Sequence, residues 1–122
     1  TSDTLADTLV WTRAANLFGW QSYLGDLFGS NDIPIYAAPA RATALSGLPP
    51  TYLPVGDLDL FLDENIAYAH KLTRGGIPTN FHVFPGAYHG FNAFAPEAPA
   101  SVACNTEIFS FIAKLLDEAD KN

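Results

Sequence analysis

The chain has 122 residues, enough for one domain and no more. Apolar residues make up 48% of it and charged residues 16%, the balance of a globular, well-buried sequence rather than a disordered one. A net charge of −7 argues against nucleic acid or an anionic membrane as partner, since an acidic surface attracts neither.

Thr1–Thr8 are polar and read as irregular. From Thr12 to Phe28 the apolar residues Leu17, Trp20, Leu24 and Leu27 recur at helical spacing, and Gly29-Ser30-Asn31-Asp32 forms a stop. Gly19 and Gly25 weaken that helix, each by about 1 kcal/mol against alanine. Ile33–Pro50 carries Pro34, Pro39, Pro49 and Pro50 and reads as a loop with one short helical turn around Ala40–Leu45. The double proline forces an extended entry into Thr51–Val55, a strand. Phe61–Arg74 then shows Leu62, Ile66, Ala69 and Leu72 on one face of a helix. Asp63 and Glu64 fall in its first turn and Lys71 and Arg74 in its last, as the helix dipole favours, and Gly75-Gly76 followed by Pro78 ends it. Asn80–Phe84 is a second strand, and Ser101–Ala119 closes the chain as a helix with Ile108, Ile112, Leu115 and Leu116 as its apolar stripe.

Strand, helix and strand with short connections make a parallel βαβ unit, so the fold class is α/β. A parallel sheet of two strands leaves two faces and two edges to cover, and such sheets normally lie inside larger α/β domains. More strands are therefore expected beside this one. Methionine is absent, so Thr1 is not expected to be a native start; processing of a mature protein is the alternative. No apolar run is long enough to span a bilayer, and no charged-then-apolar leader precedes one. Cys104 stands alone, which excludes an internal disulfide and suits a small buried residue. The compartment stays open, with the cytoplasm favoured over secretion.

Chemistry concentrates at the two strand ends. The first strand runs into Gly56-Asp57-Leu58-Asp59, and the second into Pro85-Gly86-Ala87-Tyr88-His89-Gly90-Phe91. A carboxylate at a strand end can orient an imidazole and stabilise its charged form, and a histidine on a glycine-flanked loop can be presented at the carboxyl edge of a sheet. His70 on a helix and His82 within a strand read as structural or exposed. Asp57-x-Asp59 also has the look of a phosphotransferase acid pair, but Phe61 stands where that chemistry wants Thr or Val. A calcium loop is excluded by Leu62 and Tyr68 at the positions that need Gly and Glu. Neither zinc-ligand spacing nor a glycine-rich phosphate loop occurs, and no Gly-x-Ser-x-Gly is present.

The stretch Leu48–Asp59 followed by Asp63-Glu64 resembles the acid-bearing segment of the hormone-sensitive-lipase-like branch of the α/β-hydrolases. So do Ala67-Tyr68-Ala69 through Leu72, Gly75, Gly76 and Pro78, and Val83–Phe91 resembles that family's histidine loop. Asn16–Trp20 with Tyr23-Leu24-Gly25 is similar to the helix before its acid strand. Leu60 departs from the proline usual there. The resemblance implies that residues 1–122 are the carboxyl-terminal segment of one such domain, a partial fold without the amino-terminal part of its sheet. It places the triad acid on Asp59, with Asp57 the competitor, and the general base on His89. The implied reaction is hydrolysis of small or medium carboxylic esters through a serine acyl-enzyme, with no cofactor. Nucleophile and oxyanion hole are then expected upstream of this chain. Phe18, Trp20, Tyr23, Phe28, Phe91 and Phe94 could line an acyl pocket, though a core role is the expected one for most. The rival reading is a non-catalytic interaction fragment, whose partner is the complementary amino-terminal segment or a second copy.

Overall fold

The computed structural model of the protein describes residues 9–121; the expectation for Thr1–Thr8 lies outside them. Helix α1 spans Arg13–Leu24 and is capped by Thr12, whose hydroxyl accepts from the Ala15 N–H at 3.2 Å. Gly25 ends it, and the rest of the expected helix is a 3-10 turn over Gly25–Leu27. The short helical turn of the proline-rich loop falls at Pro39–Arg41, one residue earlier than the pattern suggested, because Pro39 supplies a helix-ready φ at its start. Strand β1 is Thr51–Gly56, α2 is Leu62–Arg74 and β2 is Thr79–Phe84. A four-residue helix α3, Phe91–Phe94, was not foreseen, and α4 runs Pro99–Ala119 with the proline in its first turn.

The strands pair in parallel, from Thr51 opposite Thr79 to Gly56 opposite Phe84. Alternating side chains then serve opposite faces. Leu53 joins Ala42, Leu45, Leu72 and Ile77 on the α2 side, while Phe84 joins Ala87, Phe91 and Cys104 on the α4 side. The apolar interior is thus two small clusters split by a narrow sheet. Three stripes read from the sequence stay partly uncovered: Ile66 is 45% exposed, Ile112 47% and Leu116 61%, and α1 buries no residue. Helical periodicity marks a face that needs cover. It does not say that the cover lies within the same 113 residues, and a two-stranded sheet offers little surface to supply it.

Helix α4 is fastened to both strands by one carboxylate. Glu107 Oε2 accepts from the Tyr52 hydroxyl at 2.5 Å and faces His82 Nδ1 at 2.7 Å. Tyr52 also sets its ring 5.7 Å from that of Phe111. The hydrogen bonds from Tyr52 and His82 hold the Glu107 carboxyl below the usual glutamate range. Burial, with help from Glu107, pushes the Tyr52 phenol far above the usual tyrosine range. A carboxyl lowered by folding stabilises the native state at pH values above its unfolded pKa, and that contribution is lost as pH falls through the folded one. Urea unfolding across a pH series should therefore show stability declining below about 4.5, the ordinary glutamate value. The decline should be shallower in Glu107→Gln; parallel curves for the two proteins would contradict it.

Candidate active site

Backbone hydrogen bonds stitch the two strand-end loops together. The ladder continues past β1 as Asp57 N–H to Phe84 C=O at 3.2 Å, and Leu58 N–H reaches Ala87 C=O at 3.0 Å. Such close approach requires Gly56, where a Cβ would stand 2.0 Å from the Ala87 carbonyl oxygen. Asp57 Oδ1 accepts from the Gly86 N–H at 2.7 Å, so this acid braces the opposite turn and does not meet an imidazole. Leu60, the departure from the family pattern, is 4% exposed and fills an apolar site.

Asp59 is 8% exposed, and both its oxygens are occupied. Oδ1 accepts from the Phe61 N–H at 2.9 Å, and the backbone carbonyl accepts from Leu62 N–H at 3.2 Å, which starts α2. Oδ2 lies 3.1 Å from His89 Nδ1. With a carboxylate as acceptor, Nδ1 carries the proton and Nε2 keeps a lone pair. The imidazole lies between Phe61, edge-on at 5.5 Å between ring centroids, and Trp11 at 6.0 Å.

Immediately after His89 the chain reverses through Gly90 at φ 73°, a left-handed conformation that also lets Phe94 pack within 2.9 Å of where a Cβ would be. Helix α4 holds the far side of this loop. Ser101, fully buried, donates its hydroxyl to Phe91 C=O at 3.1 Å, and Asn92 Nδ2 donates to Asn105 Oδ1 at 3.0 Å.

A cavity of about 280 Å³ lined by Asp59, Asn65, His89, Asn92 and Cys104 opens beside the pair. A second, apolar pocket of about 580 Å³ lies on Trp20, Leu24, Phe28, Ile33 and Phe61. Phe61 lines both, a position the sequence pattern did not single out. Of the six aromatics weighed beforehand, only Phe91 is buried; Phe18, Tyr23 and Phe94 are at least 65% exposed, and Trp20 and Phe28 wall the pocket. The core role expected for most of them does not hold within the described residues, where α1 buries no residue and Phe94 stands exposed on α3. His70 is exposed on α2, and His82 pairs with Glu107 away from the site. No group of three His, Cys, Asp or Glu side chains placed to hold a metal occurs among the described residues, and no helix there is long and apolar enough to cross a membrane.

Comparison with known proteins bears on the fold and the family. The alpha/beta hydrolase fold family matches residues 1–93. The esterase LipI of Mycobacterium tuberculosis is 34% identical over 79 residues, covering 65% of this chain and 24% of that protein. A bacterial heroin esterase superposes with a TM-score of 0.79 at 41% identity, covering 84% of this chain and 33% of the other. A thermostable esterase from Pseudomonas putida superposes with a TM-score of 0.75 at 30% identity, covering 84% and 33%. The chain thus spans about a quarter to a third of the length of these relatives.

Gly56→Ala should separate the two loops. Overpacking against backbone that cannot retreat is expected to cost more than about 3 kcal/mol in denaturant unfolding. A loss below about 1 kcal/mol would show that the contact at Ala87 is not required.

Proposed function

This chain belongs to the α/β-hydrolase family, and we propose that it carries the acid and the general base of a serine carboxylesterase. The observation that carries the reading is the Asp59–His89 pair at 3.1 Å, formed by two strand-end loops of a parallel βαβ unit. Similarity to named esterases supports the reaction class. The uncovered stripes on α1, α2 and α4, and a sheet that holds only two strands among the described residues, support a further proposal. In it, residues 1–122 are one segment of the domain, packed against a complementary segment that brings the nucleophile and the oxyanion hole.

In this mechanism Asp59 fixes the ring and tautomer of His89 through Nδ1. Nε2 takes the proton of the nucleophilic serine as its oxygen attacks the ester carbonyl, and returns that proton to the departing alcohol. Water then attacks the acyl-enzyme by the same route, releasing the acid and restoring the serine. Asp59 stabilises the imidazolium in each step and stays ionised. The apolar pocket shared by Phe61 suits an uncharged ester substituent of small or medium size, because its walls are mostly hydrocarbon.

Asp59→Asn in the whole enzyme should lower turnover by up to about 10⁴-fold with the fold intact, by analogy with the triad of serine proteases. Asp57→Asn, which weakens one bond to the Gly86 turn, should cost less than about tenfold. Equal losses from the two in folded proteins would reassign the acid.

Residues 1–122 alone should give no covalent adduct with a serine-reactive phosphonate, read by intact mass. Ser2, Ser22, Ser30, Ser46, Ser101 and Ser110 are the only serines, and none stands between flanking glycines. Ser101, the one near the site, is fully buried with its hydroxyl committed to Phe91. An adduct on any of them would overturn the assignment of the nucleophile to another segment.

A further inference from the structure

We infer that Glu107 is a positioning residue for His89, acting through a column of ring contacts, stacked from His82 to Phe84 and tilted from Phe84 to Phe91. Glu107 sits on α4, and its Oε2 meets the Tyr52 hydroxyl on β1 and His82 Nδ1 on β2. An ionised carboxylate only accepts, so Tyr52 O–H and His82 Nδ1–H both donate to it. That fixes the plane of the His82 ring, which stacks on Phe84 with centroids 4.0 Å apart. Phe84 in turn lies 5.5 Å from Phe91, two residues beyond His89.

The same helix grips the far end of the loop. Ser101 and Asn105 of α4 bond Phe91 C=O and the Asn92 side chain, as described above. The loop that bears His89 is therefore held between a ring column rising from the sheet and two polar bonds from α4. Glu107 is the group that keeps column and helix in one frame. His89 itself is tied by only one side-chain hydrogen bond, to Asp59 Oδ2 at 3.1 Å, so a shift of the loop is felt there first. His82 and Glu107 are 43% and 40% exposed at their side chains. A pair this open contributes little as a bare surface ion pair, and what it supplies here is alignment. Cys104, Tyr52 and His82 are the titratable groups that face Glu107 from its own helix and from the two strands.

The catalytic part of this inference rests on the proposed esterase function, whereas the structural part does not. The test therefore reads two signals in the full-length protein that carries these residues. One is the low-field proton resonance of His89 Nδ1–H in its bond to Asp59. The other is kcat against KM on a small p-nitrophenyl ester. Glu107→Ala and His82→Ala should broaden or shift the resonance and lower kcat by about tenfold to a hundredfold, with KM within about twofold, as a misplaced base should. Glu107→Gln keeps an acceptor for both donors and should restore most of the resonance and of kcat, whereas His82→Phe keeps a ring against Phe84 but loses the bond to Glu107 and should be impaired like Glu107→Ala. An unchanged resonance in folded Glu107→Ala, or a His82→Phe protein with the resonance and kcat of the wild type, would overturn the proposal. If Glu107→Ala does not fold, the two His82 variants decide alone. If the wild-type protein shows no esterase activity yet the resonance responds as stated, the functional reading fails and the positioning role stands.

Discussion

A carboxylate that is 8% exposed must have partners, and Asp59 organises the molecule around that need. Left unpaired, a buried charge would cost several kcal/mol. One partner is local, since the chain turning into α2 brings the Phe61 N–H back onto Oδ1. The other comes from thirty residues downstream, where His89 offers Nδ1 to Oδ2. That second partner can be delivered only because β1 and β2 run parallel and in register, so that both loops leave the sheet at the same edge. The βαβ connection, the short loops and the close pass at Gly56 all serve this one meeting.

The neighbouring acid shows how two aspartates two residues apart acquire different work. Asp57 is the first residue past the ladder and points across to the Gly86 N–H, bracing the turn that precedes the histidine. Asp59, two residues on, is 8% exposed and bonds the Phe61 N–H and His89 Nδ1. Their separation is geometric rather than chemical. A turn between them sends one carboxylate to backbone and the other to an imidazole.

Much of this could be read from the residues. The double proline, the charge order along Phe61–Arg74 and the Gly75-Gly76 stop located β1, α2 and β2 to within a residue or two, because each is a local signal with a local cause. The pairing of Asp59 with His89 followed from strand ends and family resemblance. What escaped were contacts between residues far apart in the chain with no distinctive motif. Tyr52, His82 and Glu107 are separated by 25 to 55 positions and look like an ordinary strand residue, a strand histidine and a helix surface acid. Phe61 escaped for another reason: its place beside His89 depends on the Asp59 turn, which only the folded backbone reveals. The apolar stripes misled in the opposite sense, since Ile66, Ile112 and Leu116 have the period of a buried face and are exposed.

The distribution of rigidity follows from the same facts. The Asp59–His89 pair sits on strand ends joined by backbone hydrogen bonds, and buried residues flank it on the α4 side at Phe84, Ala87, Phe91 and Cys104. The apolar pocket beside it is walled on one side by α1, which buries no residue, and on the other by the loop after it, which is anchored further on through Ala42 and Leu45. Elements that bury little open at little cost, whereas strand ends inside a bonded network do not. The Asp59–His89 contact therefore belongs to the stiff part of the chain, and the α1 wall of the pocket to a more compliant part. Phe61 joins the two, with its N–H bound to Asp59 and its ring set against both His89 and the pocket.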